Sequence, residues 1–426
     1  MRSYYMTVRF SYVGFIWAAL SLLATQVNAG SQDIYKKVSP SVVQVLLLDS
    51  ASGTKSSFGS GFYAGDDGYI VTNFHVISDL VFHPDRHRAE SRNVDGASGG
   101  LTLLYFDVVN DLAVLRSNDL QGPDVKVAEV PPPNGGRIYA MGHPHDLGLS
   151  VVEGTYNGLL ADHLIPRIHY TGSLNPGMSG GPAVDENNQL VGVNVAAMGD
   201  QVSFLVPAKY VRALLENADL NQDVDFKELV SQQLEAHQQD FLEPILEKAF
   251  SEISFGPYQV PGKISAAFEC WGSSSEPDDR LFNTSKHRCE TSDYIYLSAD
   301  DYTGTVEYHH EYIETDQLGP QRFYGFLERH LQSIHVTTSA DEKRVTSFVC
   351  KQALVENNNL NMKLVSCLRG HKVIDGLYDA FVILTTVEQE NEALYSALML
   401  SGVSYKNGLA FQKRYLEAIN MQGEVK

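Results

Sequence analysis

The sequence predicts a multidomain chain in which an all-β double barrel is followed by a helical connector and then an α+β domain. Residues 41–206 carry short apolar or alternating runs cut by turn residues, the mark of an all-β barrel or sandwich, and the chain is long enough there to close two barrels. Residues 225–250 switch to a helical period, and beyond residue 256 strand-like and helix-like runs are mixed. The length of 426 residues suits two or three domains, and 43% hydrophobic with 20% charged residues leaves ample core for each.

In the first region the runs are 41–48, 62–63, 69–71, 101–106, 112–115 and 190–195. Turn chemistry separates them: Asp66-Asp67-Gly68, Asn134-Gly135-Gly136 and Asp185-Glu186-Asn187-Asn188. Closing two barrels takes about this much chain, and a cleft would lie between them. Residues 83–100 are polar, hold Arg86, His87, Arg88 and Arg92, and end in Ser98-Gly99-Gly100; a surface loop is expected there. Pro207 opens a helix over 208–217. The connector then spaces Phe226, Leu229, Val230, Leu234, Phe241, Leu242, Ile245 and Leu246 along one face, and Pro244 is expected to kink or split it. Further on, 294–297, 305–313, 345–348 and 380–386 read as strands, and 322–334 and 409–419 as helices.

The first 29 residues read as a secretory signal peptide: Arg2 and Arg9, an apolar run over 13–24, then Val27-Asn28-Ala29 at the cleavage position. The run is short for a membrane span, so an exported chain, periplasmic or secreted, without membrane attachment after cleavage is expected, with an uncleaved anchor as the alternative. A formal net charge of −20 argues against nucleic acid as a partner. All four cysteines, Cys270, Cys289, Cys350 and Cys367, lie in the last domain, and an even count in an exported chain suggests two disulfides. Of three possible pairings, that between sequence neighbours is preferred. No spacing fits a metal site or a cofactor loop; His143-Pro144-His145-Asp146 lacks a third ligand of its own, and none of either is expected.

Three segments carry chemistry. Asn175-Pro176-Gly177-Met178-Ser179-Gly180-Gly181-Pro182 sets a serine among small residues, where its hydroxyl is exposed and backbone N–H groups can turn toward a carbonyl oxygen. Ile70-Val71-Thr72-Asn73-Phe74-His75-Val76 offers an imidazole that accepts and returns a proton near neutrality. Asn110-Asp111-Leu112-Ala113-Val114 offers a carboxylate to orient it, with Asp107 as a rival acid. The order His75, Asp111, Ser179 is that of chymotrypsin-like proteases.

With these segments, residues of about 33–212 resemble the trypsin-like domain of HtrA/Deg-type serine proteases. Val38-Ser39-Pro40-Ser41-Val42-Val43 is similar to that family's leading strand, Gly59-Ser60-Gly61-Phe62 to its first hairpin, Met141-Gly142-His143-Pro144 to its Gly-x-Pro turn, and Phe204-Leu205-Val206-Pro207 to the lead into its closing helix. The resemblance implies a chymotrypsin-like protease domain over 30–218; the helical period and the change of pattern beyond it set a connector over 219–255 and a distinct domain over 256–426. It implies catalysis by His75, Asp111 and Ser179, an oxyanion hole from the N–H groups of Gly177 and Ser179 with Met178, and a substrate-binding wall from Ser173, Asn194, Val195 and Ala196. The expected activity is an exported endopeptidase acting on unfolded or damaged polypeptides, with a trimer as the implied assembly. A catalytically silent binding or chaperone-like module is the alternative. The family usually carries PDZ domains after the protease; no Gly-Leu-Gly-Phe-like turn occurs here, and the last domain is expected to recruit substrates or partners.

Overall fold

The computed structural model describes residues 30–426 except 66–67, 161, 198, 200, 221–223, 276–280, 300, 333–342, 359 and 423–426; the expected signal peptide lies outside the described residues. Six antiparallel strands close the first barrel in the order β1-β2-β3-β6-β5-β4: β1 Val42–Asp49, β2 Lys55–Tyr63, β3 Tyr69–Thr72, β4 His87–Arg92, β5 Ser98–Asp107 and β6 Leu112–Ser117. Six more close the second in the order β10-β11-β12-β9-β8-β7: β7 Arg137–Gly142, β8 Ser150–Leu160, β9 Arg167–Tyr170, β10 Pro182–Val184, β11 Leu190–Ala197 and β12 Ser203–Pro207. The double barrel of the sequence reading is therefore present.

The stretch expected as a surface loop is instead the β4–β5 hairpin. Ala89 and Ser91 point inward while charged neighbours stay outside, and β4 closes the barrel against β1. Alternation was there in the sequence, but an alanine and a serine carry too little hydrophobicity to announce it. The chain's first described element also differs: a helix, Ser31–Val38, precedes β1 and buries Ile34 and Val38. The connector helix, Phe226–Leu246, is capped by Asp225, whose side chain accepts from the N–H groups of Lys227 and Glu228. Pro244 falls in its last turn and ends the helix there rather than splitting it.

Beyond the connector, β13 Glu252–Phe255 and β14 Tyr258–Pro261 form a small sheet with β24 Asn420–Met421. The main sheet has seven antiparallel strands in the order β15-β16-β19-β23-β22-β21-β20. These are β15 Phe268–Ser274, β16 Asn283–Thr291, β19 Val306–Glu314, β20 Val349–Asn357, β21 Leu360–Gly370, β22 Leu377–Thr386 and β23 Glu392–Ser404. A helix, Tyr405–Glu417, lies against β22 and β23 and buries Phe411 and Tyr415. A second helix is Pro320–Gln332, and a short hairpin of β17 Ile295–Ser298 and β18 Asp301–Thr303 stands apart from the main sheet. Helices beside an antiparallel sheet make this an α+β domain. Residues 345–348, expected as a strand, make only one isolated bridge, at Val345; the strand starts at Val349.

Disulfides join Cys270 to Cys289 and Cys350 to Cys367, the pairing of sequence neighbours. Each bridges directly opposed residues of an edge hairpin, β15–β16 at one side of the seven-stranded sheet and β20–β21 at the other.

The two folded regions share a core. One cluster of buried apolar residues joins Val43, Val45 and Leu115 of the first barrel to Leu229, Val230 and Leu234 of the connector and to Ile295, Leu297, Ile374 and Leu377 of the last domain. Polar bonds follow the same route. Gln233 donates to Phe106 O (2.7 Å) and accepts from Val108 N (2.8 Å), and Gln238 donates to Gly402 O (3.1 Å) and accepts from Ser404 N (2.7 Å).

Candidate active site

His75 lies in the first turn of the helix Phe74–Phe82, which follows β3 after a single extended residue, Asn73. Asp111 sits in the turn between β5 and β6 with φ of 60°, a left-handed conformation that Asp tolerates better than most residues. That turn aims its carboxylate at one residue twice: Oδ2 accepts from His75 Nδ1 (2.6 Å) and Oδ1 from the His75 backbone N–H (2.8 Å). A carboxylate only accepts, so Nδ1 carries a proton and Nε2 is the ring nitrogen that Asp111 leaves free of contact. The imidazole stays 26% exposed, open enough to meet a substrate.

Asp107, the rival acid, is turned away. It accepts from the backbone N–H (2.9 Å) and the amide (2.7 Å) of Asn110, and burial pushes its pKa up against these hydrogen bonds.

Ser179 occupies the loop between β9 and β10. Its Oγ donates to Val195 O over a long 3.4 Å, and no hydrogen bond joins it to His75 among the described residues. Catalytic hydrogen bonds in free enzymes are often long or misaligned before substrate arrives. The loop's N–H groups divide clearly. Met178 N donates to Asn175 O (3.0 Å), Gly180 N to Asn194 O (2.9 Å) and Gly181 N to Met178 O (3.1 Å), whereas the N–H groups of Gly177 and Ser179 have no acceptor among the described residues. Met178 is thus not available as an oxyanion donor, because its N–H closes the turn. Gly177 and Ser179 are left with unspent backbone N–H groups, the kind of donor from which an oxyanion hole is built.

Two glycines make the loop possible. Gly177 has φ of 96°, and a Cβ there would lie 2.4 Å from His143 O and 2.6 Å from the Phe58 ring. Gly180 has φ of 84°, and a Cβ there would lie 2.2 Å from Ser60 O.

Residues 59–193 match the trypsin-like peptidase domain family. The chain is 32% identical over 205 residues to a probable periplasmic serine endoprotease DegP-like of Bartonella henselae, an alignment covering 43% of this chain and 37% of that protein. It is 28% identical over 203 residues to the mitochondrial serine protease HTRA2 of Bos taurus, covering 44% of this chain and 43% of the relative. The double barrel is an HtrA-type trypsin-like protease domain. A solved serine endoprotease from Yersinia pestis aligns over 45% of this chain and 68% of its own, at 26% identity and a TM-score of 0.40. The chain spans about two fifths of the length of these curated relatives.

Within the HtrA-type domain several positioning residues escaped the sequence reading. Ser60 donates to Gly177 O (2.7 Å), accepts from His143 N (2.9 Å), and through its own N–H donates to Ser179 O (2.8 Å). Asn73 donates to Asp111 O (2.7 Å) and Arg167 to Asn110 O (3.1 Å), fixing the turn that holds the acid. Asn73 and Ser60 stood inside segments already singled out, though without these roles; nothing local marks Arg167, and the partners of Ser60 and Arg167 are far away in sequence.

The expected substrate wall needs correction at one position. Asn194 is fully buried, and its amide donates to Met141 O (2.9 Å) and Met178 O (3.2 Å); it clamps the Ser179 loop and does not face the cleft. Val195 lines the cleft beside His75, and Ser173 is exposed at the start of the serine loop. Ala196 lies in β11 and pairs with Phe204. In the His143-Pro144-His145-Asp146 turn the Asp146 carboxylate is taken by Gln44 (2.6 Å) and Lys55 (2.5 Å), and burial pulls the His143 pKa down to about 4. Cys270, His287 and Cys289 cluster closely enough for a metal, but both sulfurs are spent in the disulfide.

Proposed function

We propose that the protein is an exported serine endopeptidase in which Ser179 attacks a peptide carbonyl, His75 is the general base and acid, and Asp111 orients the imidazole. The observation that carries this reading is the double hold of Asp111 on His75 beside a serine loop with two unspent N–H groups. His75 Nε2 takes the Ser179 proton as Oγ attacks, and Asp111 stabilises the imidazolium that forms. The N–H groups of Gly177 and Ser179 hold the oxyanion; losing one such donor typically costs about 3 kcal/mol of transition-state stabilisation. His75 then returns the proton to the leaving amine, and water repeats the cycle on the acyl-enzyme.

Extended substrate backbone pairs along β11 by strand addition. No acid stands at Ser173, and Val195 is apolar, so a small or medium aliphatic residue is preferred before the scissile bond rather than Lys or Arg. Unfolded or damaged polypeptides are the proposed substrates, since only an extended chain can lie along that strand. The relatives named periplasmic support export.

The test is Ser179→Ala. Cleavage of an unfolded model protein should vanish in the variant while its circular dichroism is unchanged; a variant as fast as the parent would overturn the assignment.

A further inference from the structure

The cavity beside His75 is only half made by the protease domain. It holds about 500 Å³, and Val108, Val109, Arg167, Val195 and Phe204 line it on one side. The opposite wall comes from the last domain: Ser292, Asp293, Tyr294, Tyr296 and Tyr302. The Tyr296 ring stands edge-on to the His75 imidazole with centroids 5.7 Å apart. Tyr302 continues the aromatic surface, 5.6 Å from Tyr296 and 4.6 Å from Tyr294, both edge-to-face.

This wall is held in place. Around β17 successive side chains alternate. Ile295 and Leu297 enter the shared core with Phe74 and Ile77 of the histidine-bearing helix, which leaves Tyr294 and Tyr296 on the cleft side. The preceding turn is bonded to the protease loop: Asp293 accepts from His163 Nδ1 (3.2 Å) and Ile165 N (3.4 Å), and Ser292 Oγ from Leu164 N (3.3 Å). The tyrosines do not plug the site, because the imidazole remains 26% exposed with the cavity open next to it.

We infer that Tyr294, Tyr296 and Tyr302 of the last domain form the wall of a substrate subsite that takes an apolar side chain from the second residue before the scissile bond. The inference rests on the endopeptidase reading above. Val195, whose carbonyl accepts from Ser179 Oγ, also lines this cavity, so a chain paired along β11 brings the residue next to the reacting one against His75 and the tyrosines. Three tyrosine rings with three valines and Phe204 suit an apolar side chain, while the carboxylates of Asp111 and Asp293, two against the single cation of Arg167, disfavour an acidic one. The last domain thereby sets specificity at the chemistry itself, instead of recruiting substrate from a distance.

The experiment uses the full chain and three peptides, succinyl-Ala-Ala-X-Val-4-nitroanilide with X as Leu, Gly or Glu. Wild type should cleave the Leu peptide with kcat/KM at least about tenfold above the Gly peptide, and the Glu peptide more slowly still. In Tyr302→Ala, and separately in Tyr294→Ala, the Leu-to-Gly ratio should fall to within about twofold. The ratio separates a subsite from a structural role, because a misfolded variant loses both peptides together. Equal loss of both, an unchanged ratio in both variants, a flat wild-type preference, or a faster Leu peptide after truncation of a tyrosine would each overturn the inference. The same pair of peptides as carboxamides is titrated on Ser179→Ala by fluorescence, where the same ratio of dissociation constants is expected. If wild type cleaves nothing, the endopeptidase reading fails, and the binding ratio alone still decides the subsite.

Discussion

The protease domain and the last domain hold their decisive segments by opposite means. The Ser179 loop has no covalent brace: Ser60, Asn194 and the close approaches at Gly177 and Gly180 fix it through short-range polar bonds and the exclusion of side chains. The seven-stranded sheet is braced at both edges by disulfides across opposed residues, where unpaired strands are most prone to fray or pair wrongly. A site that must move protons needs directed dipoles, whereas a sheet with outlying edge hairpins needs only to be kept closed.

Asp111→Asn tests the first half and should have the largest effect. Asn tolerates the left-handed turn, so the fold survives, but its amide favours the wrong imidazole tautomer, and kcat should fall about 10⁴-fold. Serine or peptide hydrolysis rates, with thermal melting as the control, read it out. A loss under tenfold would mean that the His75–Asp111 pair does not orient the base.

Next in size is the disulfide brace. Replacing Cys350 and Cys367 together by serine opens a bridge with a sequence separation of 17 and should destabilise the chain by about 3 kcal/mol in urea unfolding. Because the core is shared through Ile295, Leu297, Leu229 and Val230, loss of enzymatic activity should follow the same transition. Separate transitions for the two domains would break the claim of a common core.

A smaller effect is expected from pH. Burial pulls the pKa of His143 and His309 down to about 4 and of His310 to about 3, below the value of about 6.5 in an unfolded chain. The unfolded state therefore binds protons first as pH falls, so stability should be flat above pH 7 and decline from about 6.5 toward 4. Two of these three histidines belong to the last domain, so its probes should respond more steeply. A melting temperature that rises over that window would contradict the sign.

How far the sequence could be read follows the same division. Each residue proposed for catalysis stands in a short local motif, His75 after Ile70-Val71-Thr72-Asn73, Asp111 before Leu112-Ala113-Val114 and Ser179 among glycines, and could be singled out for that reason. The barrel strands were legible by their apolar runs, apart from β4, whose inward face is Ala89 and Ser91. What escaped was long-range. Ser60 reaches the oxyanion loop from 117 residues away, and Tyr296 reaches His75 from another domain. No local pattern marks a tyrosine as part of an active site when its partner arrives only through tertiary packing. For the same reason Asn194, which looked like a pocket residue by position on β11, is a buried clamp.

The central claim is that Ser179 is an activated nucleophile with a formed oxyanion hole, and reaction with a fluorophosphonate asks this directly. The full-length protein should be labelled stoichiometrically, with the added mass on the tryptic peptide containing Ser179 and no labelling in Ser179→Ala. A correctly folded protein that stays unlabelled, or carries the label elsewhere, would contradict the account and favour a silent binding module on a protease fold.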